Sequence, residues 1–235
     1  MGKTIIVSGG TKGIGKAIII KFASEKFNII TCSRNQDELN DLQRQLSLQF
    51  PTIQIFIFQA DLAIQEEVFK FINFIKSLNL SIDILVNNAG RFIQGTLHEE
   101  ALGNLENMIN TNLYSAYHLS RGIIPQMILQ KFGYIFNICS TASIIPYTNG
   151  GSYCISKFAL YGMSKVLREE MKPFGVKVTS VLPGATKTAS WDGVDLPEER
   201  FVKAVDIADT IWGIFNLSPN ADVEEILIRP QLGDL

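Results

Sequence analysis

The sequence predicts an α/β fold, three layers (α/β/α) on a parallel sheet of seven strands. Three observations lead there. Short apolar runs alternate with longer helical patterns from end to end. Most of those runs are nearly continuous Ile, Val and Phe, the composition of strands covered on both faces. The stretches between them suit crossover helices, which join parallel neighbours as right-handed βαβ units. A doubly wound, Rossmann-type sheet meets all three requirements.

Taken in order, strands are expected at Thr4–Val7, Asn28–Cys32, Ile53–Phe58, Ile82–Val86, Tyr134–Cys139, Val176–Val181 and Glu224–Arg229. Between the early ones, Ile14, Ala17, Ile18 and Phe22 share one helix face. Leu39, Leu42 and Leu46 share a second, and Val68, Ile72 and Ile75 a third. Ser, Asp, Gly and Pro gather over residues 185–200, which reads as a surface loop with a short helix after Pro197. That stretch, about 185–203, is the expected substrate loop and a candidate lid. No repeat or linker interrupts the pattern, so residues 1–235 are expected to form a single domain.

Composition narrows the function. Of the 235 residues, 46% are hydrophobic and 19% charged, which excludes a disordered chain. A domain of this length buries roughly 70–75% of its unfolded surface and needs no metal or disulfide staple. Lys and Arg number 21 against 23 Asp and Glu, a net charge of −2, with no basic stripe for nucleic acid. Cys32, Cys139 and Cys154 form no CxxC pair and the only histidines are His98 and His118, so neither a zinc site nor a disulfide framework is expected. A reducing, cytoplasmic setting follows. No run approaches the ~18 apolar residues of a membrane span, and Ile6 stands where a myristoylation signal wants Ser or Thr.

The chemistry concentrates at strand ends. The first strand runs into Ser8-Gly9-Gly10-Thr11-Lys12-Gly13-Ile14-Gly15 and then a helix. Such a turn aims free backbone N–H groups and the positive helix end at one spot, where a pyrophosphate fits, and small residues let the backbone approach. The spacing is GxxxGxG rather than GxGxxG, so a plain tight turn stays open as the alternative. The fourth strand ends in Asn87-Asn88-Ala89-Gly90, two amides and a glycine able to bond a ribose or simply to turn the chain. Ser140 closes the fifth strand, and Tyr153-Cys154-Ile155-Ser156-Lys157 follows. With a helix starting near Gly151 or Ser152, Tyr153 and Lys157 lie one turn apart on one face. An ammonium ~4 Å from a phenol at an effective dielectric of ~20 offers roughly 4 kcal/mol, about three pKa units, enough to poise Tyr153 for proton transfer; an ordinary surface Tyr–Lys pair is the alternative.

These motifs, in this order, resemble the short-chain dehydrogenase/reductase family over essentially the whole chain. The resemblance rests on Ser8-Gly9-x-x-x-Gly13-x-Gly15, Asp61-Leu62, Asn87-Asn88-Ala89-Gly90, Asn112, Ser140, Tyr153-x-x-x-Lys157 and Pro183-Gly184-x-x-x-Thr188. It implies a catalytic set of Asn112, Ser140, Tyr153 and Lys157. Tyr153 would be the general acid in reduction and the base in oxidation, and Ser140 would hold the substrate oxygen. Lys157 would bind the nicotinamide ribose and depress the Tyr153 pKa; Asn112 would kink its helix and position a relay water. The glycine turn (Ser8, Gly9, Thr11, Lys12, Gly13, Ile14 and Gly15) would hold the cofactor phosphates. Asp61 and Leu62 would meet the adenine, Asn88 and Gly90 the ribose, and Thr188 with Thr186 the carboxamide or phosphates; Ala89, Pro183 and Gly184 complete the implied cofactor-binding set. The implied substrate is a small carbonyl/alcohol pair.

Departures matter too. Ser8 replaces the commoner threonine but keeps a hydroxyl. Cys139 and Cys154 read as core residues, since strand and helix geometry turn them from the Tyr153 face. The C-terminal Val223–Pro230 segment lacks an Asp-Gly-Gly ending, and Phe174 stands where a basic residue would meet an acyl carrier protein. Both weigh against the alternative of a β-ketoacyl-acyl-carrier-protein reductase. A non-catalytic dinucleotide-binding regulator would be expected to lose Ser140, Tyr153 or Lys157, and all three are kept.

For the cofactor, the second strand ends Ile30-Thr31-Cys32-Ser33-Arg34, without the acid that would bind an unphosphorylated ribose. Arg34, Lys12 and the Ser33 hydroxyl instead suit a 2′-phosphate, which predicts NADP(H); solvated surface charges are the bland alternative. Apolar residues on more than one side of the later helices, among them Ile123, Ile124, Phe158, Leu160 and Tyr161, predict a homodimer or homotetramer.

Overall fold

A computed structural model describes residues 2–188 and 196–233. Its centre is a sheet of seven parallel strands: β1 (Thr4–Ser8), β2 (Asn28–Ser33), β3 (Ile55–Gln59), β4 (Ile84–Asn87), β5 (Gly133–Ile138), β6 (Val176–Pro183) and β7 (Glu225–Ile228). They lie in the order β3-β2-β1-β4-β5-β6-β7. Helices α1 (Gly13–Ser24), α2 (Gln36–Gln49), α3 (Gln65–Ser77), α4 (Asn104–Ile109), α5 (Ser115–Gln130), α6 (Gly151–Met171) and α7 (Ala204–Phe215) connect them. A five-residue π-helical turn, Asn110–Tyr114, joins α4 to α5. This is the Rossmann-type α/β architecture that the apolar runs predict.

Strand alternation builds both layers. Ile5, Val7, Ile29 and Phe136 face one side, where Ile18 and Phe22 of α1, Leu42 of α2 and Ile211 of α7 cover them. Ile6, Ile30, Leu85 and Ile135 face the other, under Phe71 and Ile72 of α3 and Leu119, Ile123 and Met127 of α5. Beneath α6, Leu160 packs with Cys139, Leu182 and Ala116. A polar chain crosses this second layer. Asn87 donates to Ser120 Oγ at 3.0 Å and to Asn137 Oδ1 at 2.7 Å, and Asn137 donates to Ser164 Oγ at 2.5 Å, which ties α5, β4, β5 and α6 together. Among the described residues, no helix is long and apolar enough to cross a membrane.

Some boundaries move for local reasons. β3 starts at Ile55 rather than Ile53 because the Ile53 N–H turns back to the Phe50 carbonyl. The helix expected after Pro197 is a single 3-10 turn, Glu198–Arg200. Of the expected substrate loop, residues 189–195 lie outside the described residues.

Sheet order fixes the site. Strand order reverses between β1 and β4, and a doubly wound sheet binds its ligand in the crevice outside the carboxyl ends at that point. The glycine turn and the Asn87–Gly90 turn both open there.

Candidate active site

The floor of the crevice is the glycine turn, laced to the end of β4. Asn88 donates its side-chain N–H groups to the carbonyls of Ser8 and Gly9, at 2.9 and 3.0 Å. In return the backbone N–H groups of Asn88 and Ala89 both donate to Ser8 Oγ at 3.0 Å. Ser8 is buried, so its hydroxyl serves this junction and not a phosphate. The Asn88 amide likewise shapes the turn, where the family resemblance implied a ribose contact. Gly9 has φ +69°, a left-handed conformation that favours glycine. A Cβ on Gly15 would lie 2.4 Å from the Gly9 carbonyl oxygen, so only glycine lets α1 start this close to the turn. Lys12 precedes α1 without a side-chain cap, which leaves the first-turn N–H groups for a ligand.

At one end of the turn, β2 gives way to α2. Arg34 is exposed there, and Gln59 fixes its carbonyl through a 2.9 Å bond. Asn35 caps α2, its Oδ1 accepting from the N–H groups of Asp37 and Glu38. Glu38 reaches back to the glycine turn: Oε1 lies 2.7 Å from Lys12 Nζ, and Oε2 accepts from the Thr11 hydroxyl at 3.0 Å. Thr11 Oγ1 and Ser33 Oγ are 3.2 Å apart. The sequence reading passed over Glu38, although an Asn-x-x-Glu pattern at a helix start was a visible signal. Beyond β3, Asp61 Oδ1 accepts from the Ala63 N–H at 3.0 Å, and Leu62 is buried beside a cleft of about 130 Å³ shared with Asn110, Tyr114 and His118.

The other end of the crevice brings Ser140, Tyr153 and Lys157 together. Ser140 has extended backbone, φ −165°, and its Oγ accepts from the Ala142 N–H at 3.1 Å as a 3-10 turn, Thr141–Ser143, begins. Burial pushes the Tyr153 phenol up to about 12, with its hydrogen bond to Ser140 pulling the other way. Burial pulls Lys157 down to about 8. Lys157 Nζ donates to the Ile138 carbonyl at 2.8 Å and sits 5.8 Å from the centre of the Tyr153 ring. The expected lowering of the phenol by Lys157 does not appear here: burial dominates, and the Lys157 ammonium is turned to the Ile138 carbonyl. Phe92, also absent from the sequence reading, packs edge-on against Tyr153 at 5.0 Å.

Asn112 sits within the π-helical turn, 1% exposed. Its Oδ1 accepts from the Arg91 N–H at 2.6 Å, and its Nδ2 donates to the Arg91 carbonyl at 3.0 Å and to Ser156 Oγ at 2.8 Å. The amide thus holds the Gly90-Arg91 turn against α6. A Cβ on Gly90 would point 3.5 Å from Asn112 Oδ1 and 3.6 Å from Lys157 Nζ, into the space beside the lysine. Glu100, a third unforeseen residue, accepts from the Ser152 hydroxyl, while Gly95 bridges to Gly150. These contacts pin residues 95–100 to the start of the helix that carries Tyr153.

A roof comes from the end of β6. Gly184 N–H donates to the Ile228 carbonyl at 2.7 Å, and Thr186 donates to the Gly184 carbonyl at 3.0 Å and bridges to Val202. The Thr188 methyl would be 3.0 Å from a Cβ on Gly13, so Thr188 lies directly over the turn. Cys32 and Cys139 are buried, their thiols pushed up to about 12 and about 11, and neither is a nucleophile at neutral pH. His98 is exposed, and His118 packs among Phe69, Tyr114 and Tyr117, away from Tyr153.

A family model described as short chain dehydrogenase matches residues 3–198. An uncharacterized oxidoreductase of Staphylococcus epidermidis is 27% identical over 228 residues, 97% of each chain. Among solved structures, a metagenomic short-chain oxidoreductase in complex with NADP is 28% identical, with a TM-score of 0.85 over 98% of this chain and 97% of the other. L-sorbose reductase from Gluconobacter frateurii, complexed with NADPH and L-sorbose, is 25% identical with a TM-score of 0.90 over 97% and 95%.

Proposed function

Because the chain belongs to the short-chain dehydrogenase family of oxidoreductases, we propose that it transfers a hydride between NADP(H) and a ketone/secondary-alcohol pair, with Tyr153 as general acid and base. The observation that carries this reading is the convergence of Ser140, Tyr153 and Lys157 at one end of a crevice whose other end is an uncapped glycine turn. The residues fit a dinucleotide. The first turn of α1 offers free N–H groups, Gly90 leaves room beside Lys157 Nζ, and Lys12 and Arg34 lie at the end where a 2′-phosphate would sit. The similarity to proteins crystallised with NADP and NADPH supports the phosphorylated form.

When bound, the nicotinamide supplies the hydride in reduction and accepts it in oxidation. The chain moves the proton. In reduction, Tyr153 Oη gives its proton to the carbonyl oxygen as that oxygen gains negative charge, leaving a phenolate that solvent reprotonates. Ser140 Oγ donates a hydrogen bond to the same oxygen, stabilising charge where it develops. A phenol held at about 12 is almost wholly protonated at neutral pH, the state reduction requires. Lys157 Nζ is placed for the nicotinamide ribose hydroxyls, and Asn112 fixes the turn that flanks it.

A substrate panel of ketones and hydroxy compounds, followed by NADPH absorbance, tests the reaction class. Tyr153→Phe keeps the ring and removes the proton donor, so kcat should fall about 10²–10⁴-fold while NADPH still binds. A variant keeping more than a tenth of wild-type kcat would remove Tyr153 from the proton step. Binding without turnover on any substrate would favour a regulatory dinucleotide-binding protein instead.

A further inference from the structure

A carboxylate stands where a purely basic pocket is expected. Lys12 and Arg34 alone would offer two positive charges to a ribose 2′-phosphate. Glu38 changes that sum: with Oε1 2.7 Å from Lys12 Nζ and Oε2 3.0 Å from Thr11 Oγ1, it leaves the three charged groups one positive charge in total. It is well placed to stay. Asn35 anchors its backbone N–H in the first turn of α2, and its side chain is 32% exposed against 66% for Lys12. The hydrogen bond from Lys12 holds its carboxyl below the usual range, so it is ionised at neutral pH.

We propose that Glu38 is a specificity-determining residue whose carboxylate competes with a 2′-phosphate for Lys12 and accepts hydrogen bonds from an unphosphorylated ribose in its place. This rests on the dinucleotide reading above. A phosphate brings a charge of about −1.5 to −2 beside an existing carboxylate, and must share or take over its ammonium. A free ribose hydroxyl meets no such repulsion. The preference for the phosphorylated cofactor is thereby set lower than Lys12 and Arg34 would set it alone.

The experiment uses the whole chain and two half-ligands, adenosine 2′,5′-bisphosphate and 5′-AMP, with binding followed by calorimetry. Glu38→Gln should tighten the bisphosphate about three- to tenfold at low salt, with the gain shrinking as salt rises. 5′-AMP, whose free ribose hydroxyls lose the carboxylate, should bind more weakly, and unchanged 5′-AMP binding would overturn the ribose contact. Glu38→Lys provides a second arm and should tighten the bisphosphate at least as much; circular dichroism melting confirms that each variant is folded. If folded variants bind the bisphosphate no better than wild type, Glu38 orients Lys12 for the phosphate and the proposal is overturned. A wild type that binds neither half-ligand overturns the dinucleotide reading and this inference with it.

Discussion

Lys157 shows what the proposed catalytic arrangement asks of one side chain. It is 4% exposed, and burial moves its pKa from 10.5 to about 8. The folded state therefore releases this proton more readily than the unfolded chain, so unfolding takes up a proton between about pH 8 and 10.5. Stability contributed by this group rises with pH through that window, and below it the folded protein bears the full cost, on the order of 3 kcal/mol. Lys157→Met should accordingly raise unfolding free energy at pH 7 by about 1–2 kcal/mol, the bond lost at the Ile138 carbonyl taking back the rest. Urea denaturation at pH 7 and pH 10 checks this: the gain should shrink at the higher pH, and no gain at pH 7 would refute it. The same variant should lose turnover. In the wild type, carbonyl reduction should decline above about pH 8 as the ammonium is lost.

At the scale of elements, the π-helical turn between α4 and α5 puts Asn112 where a regular helix would not. Its amide serves Arg91, 21 residues away, and Ser156, 44 away. Asn112→Ala strands these buried groups and should cost about 2–4 kcal/mol in stability. It should also lower kcat, since the Gly90-Arg91 turn beside Lys157 loses its brace; a melt and a kcat measurement unchanged from wild type would contradict this. The sequence displays Asn112 but not its partners. That contrast recurs. Buried parallel strands are legible because both faces are apolar, and the meeting of Ser140, Tyr153 and Lys157 because one closes a strand and the others stand one helical turn apart. Glu38, Glu100 and Phe92 act through neighbours that only the fold supplies. Strand ends shift where a side chain replaces the ladder, as at Asp83, whose carboxylate accepts from the Thr4 N–H at 2.8 Å just before β4.

For the whole molecule, the two helical layers bury the central strands but not their own outer faces. Of the residues from which the sequence predicts association, Ile123, Ile124 and Leu160 face the core, because they are the stripe that packs on the sheet; Phe158 stays exposed, joined by Tyr114 and Tyr117 around the π-helical turn and by Ile155 and Val166 on α6. These elements pack next to one another, so their outer faces share one side of the molecule. A second copy of the chain presenting the same side would cover them isologously. Light scattering at micromolar concentration should give a dimer or tetramer mass, and Ile155→Glu with Phe158→Glu should reduce it. A monomeric wild type would rule this out.

The junction of Ser8 with Asn88 and Ala89 also has a consequence in time. Its partners are 80 residues apart in the chain. A ribosome adding ~5–20 residues per second needs roughly 4–16 s to make that span. β2 covers one edge of β1 early, but the other edge, Ile5-Ile6-Val7, waits for β4. Through that interval the nascent chain carries an apolar strand with a free edge, the feature that invites pairing with the wrong neighbour. The glycine turn can take its final shape only once Asn88 has been made, so the proposed phosphate cradle cannot be complete until 88 of the 235 residues exist.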